Sequence, residues 1–414
     1  MPINRRIFLK TAMGGALCAG GAGLLLTSPS WLRWLHKVNG GDAQAASKLE
    51  ELIRQAPPAR YWVASDAAEV NCLLCHTAGE VKPATRHIHK KLAVRCQLCA
   101  RECLIEEGKR GKCLTRINSG GMLKTLVYGR PITIHVDPIE KKPFYHFLPG
   151  AAAFSFATSG CPLSCKFCQN WEISQTRPED YQVSFTPPEN MVQSAKRSQA
   201  PVIAYTYNEP TVFMEYLTDV ARVGKKYNLR SVLVSCGYMK EAPLAEMCEV
   251  LDAIKIDLKG FSVDFYQRVC SAELIAVLRS IKQVARSGKH LELVNLVVPT
   301  LNDSDRMLND LADWVMGELG PEVPVHFTRF HPEYRMLNLP PTPVATLEKA
   351  RDIAMQKGIR YAYVGNVPGH LGNHTYCPQC QRIVIKRSSF LVEENHLSAG
   401  ACEYCGTKIA GVWS

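Results

Sequence analysis

The chain lacks a hydrophobic run long enough to cross a bilayer. Its longest apolar stretch, residues 11–26, is Gly/Ala-rich and at about sixteen residues falls short of a spanning helix. A dense Lys/Arg tract, a collagen-like repeat and a compositionally disordered segment are also missing. Acidic residues are the scarcer charge, 38 against 49 basic, for a formal net charge of +11. That excess ignores thiolates: one three-cysteine cluster and two four-cysteine zinc sites would add about −5 and bring the net to about +6. The basic residues are scattered, so the charge reads as solubility and no nucleic acid is expected as a partner. With 46% hydrophobic and 21% charged residues over 414 positions, the chain has room for one large domain and one or two small ones.

Disulfide-like spacing is absent too, although cysteine is not. The seventeen cysteines fall mostly in close sets: Cys72/Cys75, Cys96–Cys113, Cys161–Cys168, and the pairs Cys377/Cys380 and Cys402/Cys405. Close Cys-x2-Cys pairs read as metal or redox sites rather than staples. Cys18, Cys236, Cys248 and Cys270 stand alone and read as buried or incidental thiols.

The start of the chain carries Arg5-Arg6-Ile7-Phe8 ahead of the short apolar core, and Ala43-Gln44-Ala45 offers a small-x-small cleavage site. Residues 1–45 therefore read as a twin-arginine-type signal segment. Export by that route would make the protein periplasmic or membrane-associated, and cytoplasmic if the signal does not function. The route carries folded proteins, which suits a cofactor inserted in the cytoplasm. Residues 46–130 form a Cys-rich N-terminal region, with Pro57-Pro58 as a linker-like break, and residues 122–136 read as paired strands around the Tyr128–Pro131 turn.

From 131 to 370 the pattern is periodic. Short β-branched or aromatic runs alternate with helical stretches whose apolar residues return every three or four positions. Near-continuous apolar strands between helices predict an α/β fold, a parallel sheet covered on both faces, with six or seven β/α units in a full or partial barrel. In such barrels chemistry collects at the carboxyl ends of the strands. Cys161–Cys168, Asn208-Glu209, Gly237-Tyr238, Asp257–Lys259 and Asn302 all fall just after predicted strands, hence on one rim.

Cys161-x3-Cys165-x2-Cys168 fits a four-iron cluster bound by three irons with the fourth left open, or, on spacing alone, part of a zinc site. Convergence on the rim favours the cluster. Residues 371–414 read as a zinc-ribbon-like module: Cys377, Cys380, Cys402 and Cys405 make two knuckles around a short hairpin and a closed structural tetrahedron, with rubredoxin-like iron as the alternative. Cys96, Cys99, Cys103 and Cys113 form another four-ligand set, for zinc or a second iron–sulfur cluster. Cys72-Leu-Leu-Cys75-His76 fits the c-type haem attachment pattern and also a plain metal-ligand pair. Asp257 and Lys259 alternate on one strand and face the same side, so either they pair with each other or Lys259 meets a ligand carboxylate.

The segments HVDPIEKKPFYHFLPG (135–150), CKFCQNWEIS (165–174), AYTYNEPTVFMEY (204–216), IDLKGF (256–261) and VVPTLNDS (297–304) make the chain resemble the AmmeMemoRadiSam-system radical S-adenosylmethionine (SAM) enzymes, relatives of the pyruvate formate-lyase activating enzyme. The resemblance runs from about Val94 to Trp413. It implies a six-unit open (β/α)6 barrel and a [4Fe-4S] cluster on Cys161, Cys165 and Cys168. It also implies SAM as cofactor, reductively cleaved to a 5′-deoxyadenosyl radical. Phe167 would pack on the adenine, Glu209 would accept from the SAM amino group with Asn208 beside it, and Lys259 would meet the carboxylate. Asp257 would pair with Lys259 or hold a monovalent cation. A flavodoxin or ferredoxin as reductant and a protein substrate, as for glycyl-radical activases, follow from the same resemblance. Two positions depart from the pattern: Asn208 precedes Glu209 where relatives carry glycines, and Cys236 replaces an Asn. The rival reading is an exported electron-transfer metalloprotein that keeps the barrel without SAM turnover.

Overall fold

The computed structural model describes residues 47–64 and 92–414; residues 1–45, read above as a signal segment, and the Cys72–His76 motif lie outside the described residues. One sheet dominates, with its eight strands in chain order: β1 (Thr133–Pro138), β2 (Ala152–Ala157), β3 (Val202–Tyr205), β4 (Arg230–Ser235), β5 (Ala253–Asp257), β6 (His290–Val297), β7 (Val325–Arg329) and β8 (Ala362–Gly365). All neighbours from β2 to β8 are parallel, and β1 pairs antiparallel with β2. The sheet ends at β1 and β8 without closing, as in a partial barrel.

A crossover helix joins each parallel pair: α1 (Pro188–Arg197), α2 (Met214–Lys225), α3 (Glu241–Val250), α4 (Leu274–Arg286), α5 (Asp305–Leu319) and α6 (Val344–Gln356). Seven parallel strands and six helices thus account for the predicted repeat. Every residue of β3 and β8 is buried, as expected for strands covered on both faces. In α4 the buried residues Leu274, Val277, Ile281 and Val284 recur at helical spacing and turn one stripe toward the sheet. Ser304 starts α5 by accepting from the Met307 N–H at 3.3 Å. No helix among the described residues is long and apolar enough to cross a membrane.

Two expectations for the N-terminal region are corrected. Residues 122–136 do not form a hairpin, because Met122–Thr125 pairs back with Arg116–Ser119 while β1 joins the large sheet. Gly120 and Gly121, at φ 65° and 77°, supply the turn: a Gly-Gly pair reaches the left-handed region more readily than Tyr128–Pro131. Nor is Pro57-Pro58 a break. Ala59 donates to the Leu123 carbonyl at 2.7 Å and Thr125 to that of Pro57 at 3.2 Å, so the segment extends the hairpin edge. Arg116, fully buried, ion-pairs with Glu215 on α2 and donates to the Arg60 carbonyl at 2.7 Å, tying the region to the barrel.

Between β1 and β2 the chain plugs the amino-terminal end of the barrel with Phe144 and Phe147. Glu292 on β6 receives the backbone N–H groups of Tyr145 and His146 at 2.8–3.0 Å and pairs with His290 and His326. Burial opposes its charge, yet the two imidazoles hold its carboxyl well below the usual range. The C-terminal module is a three-stranded sheet (Thr375–Tyr376, Ile383–Ser388, Leu391–Asn395) with a further small hairpin. It docks through Arg387, which lies 4.1 Å from the Tyr145 ring centre, donates to the Tyr145 carbonyl at 2.8 Å and faces Glu140 at 3.5 Å. His146 adds contacts of 2.5 Å to the Tyr363 hydroxyl and the Ala410 carbonyl.

Candidate active site

Cys161, Cys165 and Cys168 lie in the loop that leaves β2, and backbone bonds fix that loop from several sides. Ser164 and Lys166 donate to the carbonyls of Cys270 and Val269 at 3.2 and 3.0 Å, and Gly160 donates to that of Ile173 at 2.8 Å. Gly160 has φ 91°, and a Cβ there would stand 2.4 Å from the Cys113 carbonyl oxygen, so only glycine lets the N-terminal module approach so closely. Burial pushes the Cys161 thiol well up, helped by the Glu209 carboxylate, and burial also raises Cys168. Cys165 goes the other way: a hydrogen bond from Cys270 and the nearby Lys259 ammonium favour its thiolate.

The three thiols open on a cavity of about 400 Å³ at the carboxyl ends of the strands. Phe167, Asn208, Glu209, Asp257 and Lys259 line the same cavity, whereas Gly237, Tyr238 and Asn302, expected on the same rim, are not among its lining residues. Asp257 is shared between Lys255 and Lys259, the latter at 3.0 Å, and these two cations outweigh burial and lower its carboxyl to about 2. Burial alone would lower Lys259, but Asp257 holds it well above its ordinary value. The Lys259 backbone is clamped as well, with its N–H on the Tyr266 hydroxyl at 3.0 Å and its carbonyl accepting from Asn302 at 2.7 Å. Phe167 stacks on Phe265 at 6.3 Å between centroids.

Glu209 begins a short helical turn (Pro210–Phe213) and is heavily engaged. Its Oε1 accepts from the Thr211 N–H and hydroxyl and from the Ser235 hydroxyl at 2.6–3.1 Å; its Oε2 accepts from the Cys236 N–H at 2.7 Å. Asn208 donates to the Gly160 carbonyl at 2.8 Å, while its Oδ1 is buried and unmatched. A buried orphan acceptor beside a lysine-rich wall suits a ligand that brings both an ammonium and a carboxylate. Three thiols, an acceptor for the amine and a cation for the carboxylate therefore fit a cluster-bound amino acid such as SAM.

Some site residues were not foreseen. Cys270, read as an incidental thiol, stands beside Cys165, and Cys236, noted in sequence as a lone thiol and a departure from the family pattern, lines the cavity. Their isolation in sequence hid this, because β4 and the turn before α4 deliver them separately. Lys255 was legible in principle, since Lys255, Asp257 and Lys259 alternate onto one face. Lys142 and Tyr207 converge on Asp137 at 2.7 and 2.9 Å, and Phe390 at the tip of the C-terminal hairpin also lines the cavity. Farther off, the thiols of Cys377, Cys380, Cys402 and Cys405 lie within 4.8 Å of one another, close enough to hold a metal ion. Cys96, Cys99, Cys103 and Cys113 surround a separate pocket.

A largely parallel sheet carrying its polar groups at the strands' carboxyl ends is the architecture of α/β-barrel enzymes. Within that class the chain belongs to the radical SAM superfamily: the model of that superfamily matches residues 156–314. An uncharacterized protein of Methanocaldococcus jannaschii is 42% identical over 318 residues, which span 76% of this chain and 95% of the relative. Among solved structures, a domain of the pyruvate-formate lyase-activating enzyme from Bacteroides vulgatus is 14% identical with a TM-score of 0.36, covering 39% of this chain and 98% of that one. A radical SAM methyltransferase from Sphaerobacter thermophilus is 16% identical with a TM-score of 0.44, over 56% of this chain and 71% of that one.

Proposed function

We propose that Cys161, Cys165 and Cys168 hold a four-iron cluster, that SAM lies between them and the Lys255–Asp257–Lys259 row, and that the radical acts on a protein. The observation that carries the SAM site is the single cavity shared by three thiols, the orphaned Asn208 oxygen and the clamped Lys259. When bound, the cluster supplies one electron to cleave the sulfonium C–S bond of SAM. The chain's own residues do the positioning. Lys259, kept charged by Asp257, meets the carboxylate; Asn208 Oδ1, unmatched in the structure, and the Glu209 carboxylate accept from the amine. Phe167, backed by Phe265, offers an apolar wall that keeps water from the adenosyl group.

The protein acceptor rests on the resemblance to the pyruvate formate-lyase activating enzyme in residues 135–150 and 204–216. A low-potential flavodoxin or ferredoxin as electron donor rests on the same ground. The C-terminal quartet is assigned zinc, supported by its tight thiol spacing. Export rests on the twin arginines alone. Anaerobic reconstitution with iron, sulfide, dithionite and SAM tests the central claim. Wild type should release 5′-deoxyadenosine and Cys165→Ala should release none; equal release from both would sink the proposal.

A further inference from the structure

The pocket ringed by Cys96, Cys99, Cys103 and Cys113 is unlike the C-terminal quartet. Around a single tetrahedral zinc, with Zn–S near 2.3 Å, sulfurs stand about 3.8 Å apart. The C-terminal thiols already meet that spacing, at 3.5 and 3.7 Å for Cys377–Cys405 and Cys380–Cys402. Among the described residues, the C-terminal quartet is the set of three or more such ligands that closes within 4.8 Å, and the Cys96 quartet does not. Its thiols ring a space instead, and a cubane of four irons alternating with four sulfides, one iron to each thiolate, is the arrangement that fills it.

The lining points to an anion. Arg116 and Arg101 both border the pocket, and Arg116 Nε and Arg101 Nη2 are buried with no hydrogen-bond partner. Arg116 is 1% exposed, and Glu215 satisfies only its other end. A buried guanidinium nitrogen left unmatched is costly, and the sulfurs of a negatively charged cluster would answer it. The pocket also backs onto the first site: Arg101 Nε donates to the Pro162 carbonyl at 3.0 Å, and the Cys113 carbonyl abuts Gly160.

We propose that Cys96, Cys99, Cys103 and Cys113 bind a second [4Fe-4S] cluster, back to back with the Cys161 site. With four thiolates on four irons it has no open position, so it binds neither SAM nor substrate. The inference does not depend on SAM turnover at the first site.

The test uses the full chain purified anaerobically and loaded with iron and sulfide. In the triple variant Cys161→Ser/Cys165→Ser/Cys168→Ser, acid-labile sulfide should fall by half, to roughly four per chain, and not to zero. The dithionite-reduced triple variant should still give the paramagnetic resonance of a reduced four-iron cluster, unchanged by SAM. Conversely Cys99→Ser should lose the other half of the sulfide and retain a signal that responds to SAM. Sulfide, not iron, is the deciding count, because iron in the C-terminal quartet would bring none. A triple variant free of sulfide, or a Cys99→Ser protein with the sulfide of wild type, overturns the proposal. Sulfide retained in the triple variant while wild type makes no 5′-deoxyadenosine leaves this site standing and removes the SAM reading instead.

Discussion

Of the three motif thiols only Cys165 is drawn toward its thiolate, with the neighbouring Cys270 thiol as the leading cause. Once Cys165 ligates iron, the Cys270 S–H donates to its sulfur and favours the more negative, reduced cluster. Cys270→Ala should therefore lower the reduction potential, by about 40 mV if the bond contributes ~1 kcal/mol. A redox titration followed by paramagnetic resonance checks this, and an unchanged potential counts against it. Asn208→Ala removes the one orphaned acceptor on the cavity wall. It should weaken SAM binding about fivefold, equivalent to ~1 kcal/mol, with the melting temperature preserved. Gly160→Ala is a different case. The new methyl meets the Cys113 carbonyl at 2.4 Å with φ at 91°, so the loss should be roughly 2–4 kcal/mol of stability, seen in denaturant melts.

The seven parallel strands of the barrel were legible because period and burial agree: β3 is apolar throughout, and α4 repeats its apolar stripe every three or four residues, whereas β1 was read as half of a local hairpin. The cysteine loop was legible for a different reason, since its spacing is chemistry rather than packing. What stayed hidden needed tertiary contact. The partner of Arg116–Ser119 is set by two glycines in left-handed backbone, and Cys270 reaches Cys165 only across a turn between β5 and α4. The C-terminal module shows the same limit: its thiols are plain in sequence, whereas Arg387, which anchors it, looks like any surface basic residue. Arg387→Met strips Glu140 of its buried partner and should cost about 3–5 kcal/mol, measured by urea unfolding, with the four thiols still able to take up metal.

At the scale of the whole molecule, the seam between barrel and C-terminal module is sensitive to acid. His146 is buried there between Tyr363 and Ala410, and burial lowers its pKa to about 3. In the unfolded chain a histidine protonates near 6.5, so as pH falls the unfolded state takes up a proton that the folded state refuses. The stability due to neutral His146 is complete above about pH 6.5 and drains away toward pH 3, amounting to about 2 kcal/mol lost between pH 8 and pH 5. Denaturant melts of wild type and His146→Gln at the two pH values should show the shallower loss in the variant. An equal loss in both would mean that other groups govern the seam.

Phe390 has a separate consequence. It sits at the tip of a hairpin outside the barrel, yet it borders the cavity where the reaction would occur. The parts of the chain that set the chemistry and a part that screens what enters are thus carried on different segments. Lengthening, shortening or exchanging that hairpin tip alters the guest without disturbing the strands that hold the reacting groups. Diversification among such enzymes therefore has a place to happen in which a poor substitution costs selectivity and leaves the fold intact.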